Sequence, residues 1–87
     1  MLNLYKVTEQ HPQTTKNGIT IHLITAGENM AGICINNGKE LFCEYGVTYP
    51  VEIDEQKFTI QFNNSFIEHW GGVVKCYVFV LKRIEKE

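Results

Sequence analysis

The side chains able to do chemistry in this 87-residue chain are few: three cysteines, three histidines and a concentration of carboxylates. Cys34, Cys43 and Cys76, joined by one histidine, would make the donor set of a Cys₃His zinc site. Structural zinc sites present paired knuckles such as Cys-x₂₋₄-Cys, and here the thiols are scattered over separate segments. An odd number of cysteines without a Cys-x-x-Cys pair also argues against a disulfide framework and for reduced, buried, inert thiols. His69 stands between Glu68 and Trp70, just ahead of Gly71 and Gly72. A histidine beside a carboxylate can serve as a general base, but consecutive side chains diverge and no nucleophile is marked nearby. His69 and Trp70 are therefore retained only as candidates for contacting a small ligand. The carboxylates do not follow the alternating Asp/Asn, central Gly and terminal Glu of an EF-hand loop. Phosphate-cradling loops and the common hydrolase motifs are missing too. The expectation is a protein that is not an enzyme, with no catalytic residue, no metal and no cofactor.

Charge is the most uneven property of the sequence. Residues 40–56 hold Glu40, Glu44, Glu52, Asp54 and Glu55 and no Lys or Arg, a local charge of −5 against +3 for the rest of the chain. In an alternating strand, Glu40, Phe42 and Glu44 share one face, opposite Leu41, Cys43 and Tyr45. Glu52 and Asp54 fall on the outward face of the following strand. If the two strands pair, the four carboxylates form one patch with Phe42 at its middle, and like charges opposed across a ladder work against folding there. Such a face suits a basic partner. The plainer alternative is a solvated face, or an edge strand that charge protects from aggregation.

The elements that must position these groups are short strands. Leu2 to Thr8 alternates passably, and the polar stretch from His11 to Lys16 reads as a loop closed by Asn17-Gly18. Ile19 to Thr25 alternates with Ile19, Ile21 and Leu23 inward. Met30 to Ile35 and Glu40 to Tyr45 flank Asn36, Asn37, Gly38 and Lys39, a hairpin signal because Asn and Gly tolerate positive φ. A strand opened by Tyr49 and Pro50 follows. After it, Phe58, Ile60 and Phe62 make the clearest period-two stripe in the chain. Asn63 and Asn64 read as a turn. Ser65 to Glu68 matches a capping box, with room for only one helical turn before Gly71 and Gly72. Val73 to Leu81 is apolar on both faces apart from Lys75, and the tail from Lys82 is charged.

The fold expected is therefore all-β: a small barrel of six or seven strands, SH3-like or OB-like, or a compact sandwich, with at most one short helical turn before the last strand. The single turn ahead of the final strand resembles SH3-like barrels in architecture, which implies nothing about function. Ile21, Leu23, Leu41, Ile53, Phe58, Ile60, Phe62, Val78 and Val80 form the expected core.

Length and composition bound the function. A chain this size builds one core, and 44% hydrophobic residues exclude a disordered chain. No basic stretch followed by an apolar run opens the sequence, and the longest apolar run, Cys76 to Leu81, is far short of the roughly 20 residues that span a bilayer. A soluble, cytoplasmic protein with no membrane contact is expected. A net charge of −2 disfavours generic nucleic-acid binding, which normally shows a basic excess. The reading that results is a small module binding another protein, one with a basic surface, through Glu40, Phe42, Glu44, Glu52 and Asp54. Inhibitors that phage and mobile elements direct at host or defence proteins have this character. The alternatives are a barrel for single-stranded nucleic acid, a small-ligand binder, and a structural subunit of a larger assembly.

Overall fold

The structure is a computed structural model that describes residues 2–69 and 73–84. The side chains of residues 2, 64–69 and 73–75 are outside that description. Eight strands follow one another: β1 (Leu2–Thr8), β2 (Gln13–Lys16), β3 (Ile19–Ala26), β4 (Met30–Ile35), β5 (Glu40–Glu44), β6 (Thr48–Ile53), β7 (Gln56–His69) and β8 (Val73–Arg83). They form two four-stranded antiparallel sheets, ordered β1-β8-β7-β6 and β2-β3-β4-β5. The all-β class is thus as the alternation implies, and no described residue is helical.

Turn chemistry explains where the chain reverses. Asn17 and Gly18 sit at φ 54° and 78° between paired Lys16 and Ile19, a two-residue turn of the kind whose twist matches the flanking strands. Asn36 and Asn37, at φ 52° and 62°, reverse β4 into β5, closed by the Gly38 N–H on the Ile35 carbonyl at 2.9 Å. Asp54 and Glu55, at φ 50° and 67°, do the same between β6 and β7.

The core lies between the sheets. Tyr5 and Val7 of β1, Ile53 of β6, Phe58, Ile60 and Phe62 of β7, and Tyr77, Phe79 and Leu81 of β8 come from one sheet and meet Ile19, Ile21 and Leu23 of β3, Ala31 and Ile33 of β4, and Cys43 of β5 from the other. Phe62 is the hub, with its ring centroid 5.3 Å from that of Phe79, 5.7 Å from Tyr77 and 5.5 Å from Tyr45. Both seams between the sheets are closed by polar contacts. At one, the Tyr5 hydroxyl donates to the Lys16 carbonyl at 2.9 Å, and Lys16 Nζ donates to the Leu4 carbonyl at 2.8 Å. At the other, Tyr45 bridges to Phe62 in parallel, and the Gly46 N–H donates to the Phe62 carbonyl at 2.8 Å.

Four local expectations are corrected. The stretch read as a loop contains β2, whose polar side chains cost nothing because an edge strand borrows its ladder from β3. Ser65 to Glu68 does not cap a helical turn. It continues β7, where pairing with β8 satisfies backbone groups that one isolated turn, with its nucleation cost, would leave open. Asn63 and Asn64 do not reverse the chain either; the register slips between Phe62 and Asn64, a bulge within the strand. Finally, Tyr77, Phe79 and Leu81 are the core face of β8. Val78 is buried as expected, on the opposite face of β8, whereas Val80 is only half-buried and Leu41 is half-buried against the core.

Candidate functional site

Strand β5 carries the candidate surface, and its two faces follow from alternation. Cys43 is buried and Leu41 half-buried on the inner face, whereas Glu40, Phe42 and Glu44 are exposed on the outer one. Phe42 retains 50% of its surface. Antiparallel pairing sets these residues beside Cys34, Gly32 and Met30 of β4, in that order.

Gly32 is the floor of the site. With no side chain there, the Glu40 carboxylate and the Phe42 ring lie across it. A Cβ built on Gly32 would run into Glu40 Oε2 and come within 3.1 Å of Phe42 Cε1. The Glu40 carboxylate is held in this position by the Thr25 hydroxyl, which donates to Oε2 at 3.0 Å from β3. Thr25 faces Gly32 because a bulge between Leu23 and Thr25 shifts the β3 register. Ile24 in that bulge, Met30 and, beyond β5, Tyr45 and Val47 are also exposed. Strands β3, β4 and β5 contain no Lys or Arg. The outer face of β3, β4 and β5 therefore combines the exposed Ile24, Met30 and Phe42 with the carboxylates of Glu40 and Glu44.

The other acidic positions lie elsewhere. β5 and β6 are edge strands of different sheets, so the pairing that would set Glu40 and Glu44 against Glu52 and Asp54 does not occur. The cross-strand repulsion expected between them has no geometric basis. Glu52 instead stands in register with Lys57 of β7, an opposite-charge pair of the kind that supports a ladder. Asp54 occupies the first positive-φ position of the β6–β7 turn, a place where a short polar side chain is tolerated.

His69 ends β7 opposite Val73, and its side chain, like Trp70 as a whole, lies outside the described residues. None of the three cysteines is in a disulfide. Cys34 is half-buried on the outer face of its sheet, Cys43 points into the core, and Cys76 is buried on the other sheet, so no two thiols face each other. Burial pushes the Cys43 thiol up to about 11. Among the described residues no three His, Cys, Asp or Glu side chains come together as metal ligands, and no helix is long and apolar enough to cross a membrane.

Gly32, Thr25 and Met30 are members of the surface that sequence reasoning missed. An isolated glycine within a strand is a signal of close approach by another group, and Gly32 carried that signal. Thr25 had none, because its place depends on the bulge. Compared with known proteins, the chain matches no family model, no curated protein and no solved structure.

Proposed function

We propose that this protein is a non-enzymatic binding module that docks another protein, one bearing basic residues, on the outer face of β4 and β5. The observation that carries the reading is Phe42: a large apolar ring half exposed between Glu40 and Glu44, on two strands that contain no Lys or Arg. An exposed aromatic anchor flanked by charge is the usual composition of a protein-binding hot spot, with the ring supplying lifetime and the charges guiding encounter. Glu40 is held in place before any partner arrives, since Thr25 fixes its carboxylate over Gly32. That lowers the ordering cost of binding.

An inhibitor that occupies a basic groove on a host or defence protein, acting in a reducing cytoplasm, is the biological role this surface suits best. Glu52 and Asp54 belong to a separate edge and are left out of the proposed contact.

The test is affinity capture from the native host's lysate, comparing the wild-type chain with the Glu40→Gln, Glu44→Gln double variant and eluting with rising salt. A basic protein retained by the wild type, released by salt and lost with the variant supports the reading. Nucleic acid retained equally by both forms overturns it in favour of a single-stranded nucleic-acid barrel, for which the aromatic content is the only support.

A further inference from the structure

The edge of β5 carries more than charge. The Tyr45 N–H donates to the Asn29 carbonyl at 2.8 Å, which sets the phase of the β4–β5 ladder. In an antiparallel pair, bonded positions alternate, so Cys43 and Leu41 direct their backbone groups to β4 while Glu44, Phe42 and Glu40 direct theirs away from it. At Glu44 both groups are used within the chain. Its N–H donates to the Tyr49 hydroxyl at 3.0 Å, and its carbonyl accepts from the Val47 N–H at 3.1 Å. Glu40 and Phe42 present two N–H and two C=O groups on a side where, among the described residues, no strand pairs with β5.

We propose that an extended basic segment of the partner adds to this edge as a further antiparallel strand, bonding to the backbones of Glu40 and Phe42. The inference rests on the binding face described above and specifies how it is engaged. In such an addition the residues directly opposite Glu40 and Phe42 lie on the same outer face as those side chains. The matching segment carries Lys or Arg opposite Glu40 and an apolar residue opposite Phe42, two positions apart. A basic residue a further two positions along reaches Glu44.

Charge also excludes the simplest competing occupant, a second copy of this chain. Two β5 strands paired about Phe42 would set Glu40 against Glu44 twice, on the same face. Edge carboxylates commonly serve to block strand addition. Here they block acidic and identical strands and leave a basic one admitted, which turns edge protection into selectivity.

The experiment uses the full chain, isotopically labelled, and a capped peptide of alternating Lys-Thr-Ile-Thr-Lys. A second peptide is identical except for N-methylation of the Ile amide, which removes a ladder donor and crowds the edge. A third replaces both Lys by Glu. The expected result is slowed amide exchange at Glu40 and Phe42 with the first peptide, affinity about tenfold weaker or worse for the methylated one, and no binding of the acidic one. If both basic peptides bind equally and the Phe42 amide stays unprotected, strand addition is overturned while the charged face remains a binding surface. If neither basic peptide binds, strand addition is again overturned, and lysate capture with the Glu40→Gln, Glu44→Gln variant judges the face by itself. Dimerisation of the free chain through protected Phe42 amides would overturn the selectivity for a basic strand.

Discussion

Phe42 stands opposite Gly32 across the β4–β5 ladder, and the missing side chain of one leaves the space over it to the ring of the other and to the Glu40 carboxylate. The same relationship gives a clean way to disturb the surface without disturbing the fold. Gly32 has no positive φ, so alanine is unstrained there, and its methyl group meets a flexible carboxylate and a half-exposed ring. Gly32→Ala should leave stability within about 0.5 kcal/mol of the wild type. It should displace the Phe42 ring and break the contact between Thr25 and Glu40, seen as shifted aromatic and Thr25 methyl resonances. Loss of cooperative unfolding would show that Gly32 has a structural role instead.

Charge and ring should separate kinetically once a partner is in hand. Neutralising Glu40 and Glu44 with Gln should slow association, with the difference shrinking toward 1 M salt, where the Debye length is about 3 Å. Phe42→Ala should speed dissociation with little dependence on salt. Neither change should alter stability by more than about 0.5 kcal/mol, because all three side chains are exposed. Stopped-flow binding at two salt concentrations checks both. Unchanged kinetics at low salt would reduce the carboxylates to a solvated face.

The β6–β7 turn places Glu55 at φ 67°, a conformation in which a long side chain is disfavoured and glycine is not. Glu55→Gly should stabilise the protein by about 0.5–1 kcal/mol, and Asp54→Asn with it should add to that. The gain should show as a higher urea midpoint at constant slope. A lower midpoint would mean that Glu55 makes a contact outweighing its backbone strain.

Tyr5 closes the β1–β2 seam through its hydroxyl, 2.9 Å from the Lys16 carbonyl. Tyr5→Phe keeps the ring in the core and removes only that bond, so it should cost about 1–2 kcal/mol. For a domain this size, that is a fall of several degrees in melting temperature. An unchanged melting temperature would mean that backbone contacts alone hold the seam.

Cys43 ties alkaline stability to burial. Its thiol is held up from 9.0 to about 11, so between those pH values the unfolded chain has lost a proton that the folded chain keeps. Stability should therefore fall as pH rises through that window, and Tyr5, whose phenol is also raised by burial, acts in the same direction. Urea midpoints at pH 8, 9.5 and 10.5 should decline, and Cys43→Ala should flatten part of the slope. In the folded protein at pH 8, half-buried Cys34 should alkylate well before Cys43 and Cys76. Equal labelling rates would contradict the burial.

Strand alternation and turn residues are properties of a few consecutive positions, and the sequence by itself determined them. Glu40, Phe42 and Glu44 point outward because residues two apart in a strand share a face, and Asn17-Gly18 and Asn36-Asn37 turn because those residues accept positive φ. The outward Phe42 was legible on that ground alone. Strand β8 marks where local reading stops, since a segment apolar on both sides offers no parity to choose Tyr77, Phe79 and Leu81 over Val78 and Val80 for the core. Only the tertiary structure decided that β5 and β6 belong to different sheets, that Glu52 stands in register with Lys57, and that Gly32 lies under Glu40 and Phe42. Partner choice between strands is set by which pairing buries the most apolar surface across the whole chain, and residues far apart in sequence share that decision.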